Sequence, residues 1–542
     1  MARTNGAEAL VAALKQEPVE VIFGIPGVQL LDALDAVYRD GGIRWISTRH
    51  EQTAAYMAYG YARTTGKAGV VLVPPGPGAL NTAAAIGTAN AAAVPVLLIS
   101  GQIGSGLFGR RQRALHELDA QTELFSHLTG WSRRATRPEE IPAFTVEALR
   151  RLAGPPSRPV EMEIPVDLWA QPAEMDVAPA AKTPPVSPDP AAIEKAAALL
   201  RRARRPIILT GSGAVNAGSP ADVTRLAERL NAPVVMTTEG QGVIDPAHPL
   251  CAGNFTLWRH PILKQADAIL VIGSRLKVAG SAKLELGPEQ AMVRIDHDPE
   301  ELELNYPSAL GIHADAGLAV KRLLEAVPAT PAGVWTHDEI AVMRHDLRKQ
   351  MAAAAPVQTG IIDAIRRVLP PDGIVVADIT NIGFWCDVAY PVLRPRTYVD
   401  SSYFGTLGFA FPTALGAKVG NPDSPVVAIC GDGGFPYASA ELATAVQEGI
   451  NVITLLFSDD AYGTITGMQR RRFDGRYIGD KLHNPDYVKF AASFGAIGVR
   501  LSSPDELGEK LEELLVADRP SLIECPVPPM ATTWEVFNFG GG

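Results

Sequence analysis

The chain has 542 residues, of which 47% are hydrophobic and 20% charged, and its net charge is −10. That balance describes a compact globular protein of about two to four domains and excludes a disordered chain. The negative charge weighs against nucleic acid or an anionic membrane as a partner. Cys251, Cys386, Cys430 and Cys525 are scattered and form no CxxC pair, so neither a zinc site nor a disulfide scaffold is indicated. Residues 1–15 lack a basic flank followed by an apolar core, so no signal peptide is expected. The apolar runs Ala83–Ser100 and Ile207–Thr210 are short or broken by Asn90 and Pro95, which argues against a membrane span. A soluble cytoplasmic protein is expected.

In chain order, residues 1–176 alternate helical and strand patterns. Strands are expected at Val19–Phe23, Arg44–Ser47, Val70–Val73, Val94–Ser100 and Val160–Ile164. Between them lie the turn Gly24–Gly27, a helix opening at His50–Gln52, the run Pro74–Gly78 and one helix over Leu80–Asn90. This is a doubly wound α/β pattern. Residues 178–190 are rich in Ala and Pro and read as an exposed linker. A second α/β unit spans 191–328, with strands at Pro206–Thr210, Pro233–Met236, Ala268–Ile272 and Met292–Asp296. A second linker is expected at 329–333 and a third α/β unit over 355–528. The tail, 529–542, holds Trp534, Phe537 and Phe539 without helical spacing, and reads as a disordered end or a flap over a cleft.

The third unit carries the most informative stretch. The apolar run Val426–Cys430 leads into Gly431-Asp432-Gly433-Gly434, then a helix over Ser439–Glu448. A second apolar run, Val452–Phe457, ends in Ser458-Asp459-Asp460-Ala461-Tyr462-Gly463. A βαβ unit puts both turns at one carboxyl edge of a parallel sheet, so Asp432 and Asp459 meet although 27 positions separate them. Two carboxylates beside glycines that bare backbone N–H groups suit a hard divalent cation holding a phosphate. Taken singly, Asp432 reads equally as a helix cap and Asp459 as a turn former.

Gly431-Asp432-Gly433 with its distant Asx-rich turn resembles the thiamine-diphosphate motif. Arg49-His50-Glu51-Gln52, Gly60-Tyr61-Ala62-Arg63, Gly76-Pro77-Gly78 with Asn81, Gly273-Ser274-Arg275-Leu276, Ile295–Pro299 and Gly405-Thr406-Leu407-Gly408-Phe409 extend the match over nearly the whole chain. Together they resemble the acetolactate synthase and benzoylformate decarboxylase (2-oxo acid decarboxylase) branch of the thiamine-diphosphate enzymes. The resemblance implies an N-terminal pyrimidine-binding, a central and a C-terminal diphosphate-binding domain. It also implies a homodimer or homotetramer with the cofactor at a dimer interface.

Site residues follow from the same resemblance. Glu51 would hydrogen-bond the aminopyrimidine ring and so promote proton loss from the thiazolium carbon. Asp432, Asp459 (where Asn is usual) and the carbonyl of Ala461 would hold Mg2+. Thr380, Asn381, Gly431, Gly433, Gly434, Tyr462, Gly463 and Thr464 would grip the diphosphate. Pro26, Gly27, Gly76, Asn81 and Gly405 would line the cofactor, and Leu407 would wedge it into a bent form. Val28, Gln29, His50, Pro75 and His116 are pocket candidates, with Gln102 a weaker one. His116 stands where acetolactate synthases usually carry Gln. The His116-Glu117 pattern, with Gln121 following, is closer to decarboxylases of guanidino-oxopentanoate, so His116 and Gln121 are expected among the catalytic residues. Cys251–Asn254 replaces the Gly-Met-His-Gly run used near FAD, so FAD is doubtful although Arg275 allows it.

The activity expected is decarboxylation of a 2-oxo acid, with release of an aldehyde or transfer of the acyl-anion equivalent to a second carbonyl. Alternatives are an FAD-containing biosynthetic acetolactate synthase, a flavin-dependent oxidative relative or a degenerate subunit. Intact Glu51, Asp432 and Gly433 speak against degeneracy. A plain Rossmann protein would need GxGxxG, and Gly211-Ser212-Gly213 lacks the third Gly.

Overall fold

The computed structural model describes residues 2–175, 177, 184–254, 260–277, 284, 286–306, 308–328 and 333–537. Three six-stranded sheets, parallel throughout, each draw their strands from one continuous stretch of chain. The first has the spatial order Arg44–Ser47, Val21–Gly24, Gly69–Val73, Val96–Gln102, Val160–Pro165, Trp131–Arg134. The second runs Cys251–Asn254, Val234–Met236, Pro206–Thr210, Ala268–Ile272, Ala291–Asp296, Leu310–His313. The third runs Tyr398–Val399, Ile374–Ala377, Val426–Gly431, Ile453–Ser458, Ser521–Pro526, Ile497–Arg500. The central strands are apolar along their whole length because helices cover both faces. A separate antiparallel pair, Ala2–Asn5 with Pro172–Met175, ties the start of the first unit to its end.

Several expectations shift in detail. The helix expected over Leu80–Asn90 is two, Pro77–Asn81 and Ala83–Ala92, divided at Thr82. The segment after the Gly-rich turn opens with two 3-10 turns before it becomes α-helical at Leu442. Trp131–Arg134 is an edge strand whose charged ends hid its pattern. Helix His337–Ala354, started by a Thr336–Glu339 capping box, joins the second unit to the third. Its Ile340 packs into the second core and its Met351 into the third. Residues 178–183 and 329–332 of the two expected linkers lie outside the described residues, as does 538–542 of the tail.

Six helices position the site: α1 (Glu51–Thr65), α2 (Asn381–Ala389), α3 (Ala410–Gly420), α4 (Leu442–Glu448), α5 (Gly463–Arg472) and α6 (Thr533–Phe537). Helix α1 of the first unit and α3 of the third cross at backbone contact. A Cβ at Gly60 would overlap the carbonyl of Thr413, and one at Gly416 would overlap the carbonyl of Met57. Tyr56, Tyr59, Phe409 and Phe411 close round this crossing and merge the two units into one core cluster. The second unit joins at Glu239. Burial alone would raise its carboxyl, but Lys277, Arg275 and Arg63 outweigh that and bring it down to about 2. Ser402 of the third unit donates to it at 2.7 Å, and Arg63 of α1 donates to its backbone carbonyl at 3.3 Å.

Gly416→Ala forces the two helices apart. We expect a loss of about 3 kcal/mol, read as a lower denaturant midpoint, with the first and third units unfolding in separate steps.

Candidate active site

Each sheet reverses its winding between two strands, and the turns leaving those strands are where ligands bind in such sheets. In the first sheet the pair is Val21–Gly24 and Gly69–Val73. Their turns carry Pro26 to Gln29 and Pro74 to Gly78. A Cβ at Gly27 would lie 2.5 Å from Pro74 Cγ, so the turns touch. Glu51 opens α1 beside them and is half-buried. Asn81 Nδ2 donates to Glu51 Oε2 at 2.9 Å. A Cβ at Gly78 would stand 3.4 Å from Glu51 Oε1, so only glycine leaves that side of the carboxyl clear.

Gly76 has φ +58°, and a Cβ on it would lie 2.5 Å from the carbonyl oxygen of His116. His116 is itself left-handed, with φ 68°. Its Nδ1 is buried without a hydrogen-bond partner, and so is Gln29 Oε1. Gln29 Nε2 donates to the Leu115 carbonyl at 3.3 Å, which brings Gln29 to the His116 segment. Pro75 is buried, and a Cβ at Gly101 would meet its Cδ at 3.0 Å. Thus Gln29, Pro75, Gly76 and His116 form one cluster. Pro26 and Val28, both exposed, lie on its rim.

One expectation in this half is corrected. Gln121 is wholly buried, with both ends of its amide engaged: Oε1 accepts from Gly76 N at 2.7 Å and Nε2 donates to Ser100 Oγ at 3.0 Å. It holds the Gly76 turn from beneath and is not placed to touch a substrate. His50 is exposed in the single chain and caps α1, its Nδ1 accepting from Gln52 N at 3.1 Å. Gln102 is buried and spent on Glu163.

The second half lies at the winding reversal of the third sheet, between Ile374–Ala377 and Val426–Gly431. A Cβ at Gly431 would lie 2.9 Å from Thr380 Oγ1. A Cβ at Gly433 would lie 2.7 Å from the Tyr462 ring, and one at Gly434 would lie 3.1 Å from Asp378 Oδ2. Gly405, with φ +58°, and half-buried Leu407 precede Gly408, which meets the Gly434 and Tyr437 backbone region. A Cβ at Gly463 would overlap the Asp459 carboxyl. Ala461 forms a bridge with Lys481, and half-buried Thr464 continues into α5.

Asp432 is buried, and its Oδ2 accepts from Asp460 N at 2.9 Å and from Asn484 Nδ2 at 2.7 Å. Burial first, then the charge of Asp432, push the Asp459 carboxyl up to about 6. Burial also raises Asp432. Among the described residues no three His, Cys, Asp or Glu form a metal cluster. A cation here would rest on the two carboxyls and on backbone oxygen, a hard donor set that suits Mg2+. Two close, partly desolvated carboxyls are the arrangement a divalent cation relieves, so the residues fit the ion. Asn484 and Tyr487, which donates to Asn484 Oδ1 at 3.0 Å, brace Asp432 and carried no motif signal.

Asn381 is a partial correction. Its Nδ2 donates to the carbonyls of Met530 and Ala531, both at 3.2 Å, so its side chain holds the tail. Trp385 Nε1 also donates to Ala531, Phe384 meets Trp534 edge-on, and Glu535 pairs with Arg471 of α5. The described tail is thus packed across α2 and α5, the helices that start at Asn381 and Gly463.

A cleft of about 420 Å³ lies between the first two units. Arg275, Asp296, His297, Asp298 and Glu301 are among its lining residues. Arg275 already donates to the Ala91 carbonyl. This acid-rich lining is a poor match for the phosphates of FAD.

Similarity to known proteins runs along the whole chain. Three family models match it: thiamine pyrophosphate enzyme, N-terminal TPP binding domain over residues 4–124, central domain over 193–323, and C-terminal TPP binding domain over 378–525. A probable 2-ketoarginine decarboxylase of Pseudomonas aeruginosa is 34% identical over 94% of this chain and 91% of its own length. A probable acetolactate synthase large subunit of Methanocaldococcus jannaschii is 33% identical, over 97% and 92%. An acetolactate synthase large subunit of Corynebacterium glutamicum is 32% identical, over 99% and 89%.

Asp459→Asn removes the repulsion at the third-sheet edge. The folded carboxyl takes its proton below about 6 and the unfolded one only below 3.8, so the penalty is full above about 6, declines between the two values and is gone beneath the lower. In chelator we expect the variant to gain about 1 kcal/mol near pH 7.5, a figure held down by solvent screening, about half that near pH 5 and almost nothing near pH 3, in paired thermal melts.

Proposed function

The chain belongs to the thiamine pyrophosphate enzymes, and within that family we propose that it decarboxylates a 2-oxo acid and releases an aldehyde. The observation that carries this reading is His116: a titratable ring whose Nδ1 is buried without a protein partner, beside the Gly76 turn and within one cluster with Gln29. Buried polar atoms without partners mark where a ligand completes the hydrogen bonding. The relative named as a 2-ketoarginine decarboxylase supports the same direction.

Thiamine diphosphate, when bound, supplies a carbon nucleophile and an acceptor for the electron pair that carbon dioxide leaves behind. The rest is work for the chain's own residues. Glu51, steadied by Asn81, holds the proton shared with the aminopyrimidine ring. Asp432, Asp459 and the carbonyl of Ala461 would hold Mg2+, which would anchor the diphosphate. Thr380, Gly433, Gly434, Gly463 and Thr464 would present backbone and hydroxyl donors to the phosphate oxygens. His116 gives the proton that completes the aldehyde, and Gln29 and Pro75 shape the space around the acid's side chain.

The working site is shared between two copies of the chain. Within one copy, no hydrogen bond among the described residues joins the Glu51 cluster to the Asp432 cluster. Exposed apolar residues rim both, among them Val28 at 61% exposure and Ile478 at 83%. A cytoplasmic setting agrees with four buried, unpaired cysteines. A second reading, carboligation, is favoured by the acetolactate synthase relatives; His116 would then select the second carbonyl.

Product NMR with thiamine diphosphate and Mg2+ distinguishes the two. Aldehydes from larger 2-oxo acids, with little coupled product, are expected. Acetolactate from pyruvate would transfer the assignment to the second reading. Glu51→Gln should lose at least about 100-fold in kcat while keeping its fold, and near-normal turnover would remove Glu51 from the mechanism.

A further inference from the structure

Glu441 belongs to the third unit, yet its carboxyl ends on the first. It is fully buried, at 0% exposure. Its Oε1 accepts from Arg49 N at 2.8 Å, from His50 N at 3.1 Å and from the Thr53 hydroxyl. Its Oε2 accepts from Thr444 Oγ1 at 2.5 Å. The two backbone donors immediately precede Glu51, and Thr53 lies in the first turn of α1. One carboxyl oxygen therefore gathers both sides of the residue expected to handle the cofactor's proton.

The rest of α4 points the same way. Arg49 Nη2 donates to Gln447 Oε1 at 3.0 Å, and Arg44 pairs with Glu448 at 3.0 Å. From within the first unit, the Thr48 hydroxyl donates to the His50 carbonyl at 3.0 Å. The strand-to-helix turn is thus held from both units. A buried carboxyl is a costly way to dock two units, because an apolar side chain of similar volume packs as well without desolvating a charge. What a carboxyl adds is direction, since it binds two adjacent N–H groups and a hydroxyl in fixed geometry at a helix N-terminus.

We propose that Glu441 is a positioning residue for Glu51. It sets the height and rotation of the first turn of α1, and so the place where the Glu51 carboxyl meets the aminopyrimidine ring. It touches neither substrate nor cofactor. The inference rests on the role proposed above for Glu51.

The test uses the full-length chain with thiamine diphosphate and Mg2+, comparing wild type, Glu441→Gln, Glu441→Ala, Thr53→Val and Glu51→Gln. Three quantities are read: cofactor Kd by calorimetry, melting temperature, and the rate at which the bound cofactor's C2 proton exchanges with deuterium in a quenched NMR assay. Glu441→Gln keeps the Oε1 acceptor and should retain cofactor affinity within about threefold while slowing exchange by about tenfold, a modest orientation error at a proton-transfer site. Glu441→Ala removes the acceptor of both turn N–H groups and of the Thr53 hydroxyl and should slow exchange by about 100-fold. Thr53→Val removes one contact and should fall between wild type and Ala, which keeps the proposal testable if Ala does not fold. Wild-type exchange in folded Gln and Val variants would overturn the proposal, as would loss of stability and cofactor binding with exchange per bound cofactor unchanged. If Glu51→Gln itself exchanges at the wild-type rate, the failure lies with the role of Glu51; if it does not, and the Glu441 variants do, only the positioning role falls.

Discussion

The structure depends on two glycines that let helices α1 and α3 touch backbone to backbone. Side chains cannot adjust around this crossing, because there is no room for even one carbon at Gly60 or Gly416. The contact fixes the first and third sheets relative to one another. Everything chemical in the molecule hangs from these two sheets, and α1 begins with Glu51. Small-residue rows usually signal close helix approach. Here they determine where a carboxyl can stand relative to its own third unit.

On that frame both halves of the site are built by the same device. Two parallel strands part where the sheet reverses its winding, and glycine turns fill the gap. In the first sheet Glu51 stands beside the turns, and the buried polar atoms of Gln29 and His116 are left without partners. In the third sheet two carboxyls are crowded at the edge against their own electrostatic preference. One half is short of hydrogen-bond partners and the other short of positive charge. A cofactor with a heterocycle at one end and a metal-bound diphosphate at the other answers both deficits.

Much of this was legible in the residues. Parallel strands buried on both faces are unbroken apolar runs, and each Gly-rich turn announced a strand end. Glu51, Gly76, Asp432 and Asp459 could be picked out because their motifs are local and their spacing follows from the βαβ unit. What could not be read is what depends on distant partners. Gln121 looked catalytic by its place near His116, but a side chain's burial is set by the sheet it lies upon, and Ser100 and Gly76 claimed its amide. That His50 caps its own helix was not anticipated either. Asn381 lost its side chain to carbonyls about 150 positions away in sequence. Asn484 and Glu441 gave no signal, since an isolated Asn or Glu has no pattern. The edge strand Trp131–Arg134 was missed because its exposed charges mask the alternation.

The seam between the first and third units also bears on how such a chain can be inherited. Gly60 fits Gly416 and its neighbours, and the Arg49–Thr53 turn fits Glu441. Neither partner is useful without the other, so a first unit exchanged by recombination would arrive with a helix and a turn cut for a different lock. The central unit meets its neighbours through the ionic group around Glu239, the Arg158–Asp298 pair, Asn254 on the Asp387 and Val388 carbonyls, and a backbone approach where a Cβ at Gly242 would lie 2.4 Å from Arg394. Gene shuffling within this architecture should therefore pass the outer two units on together.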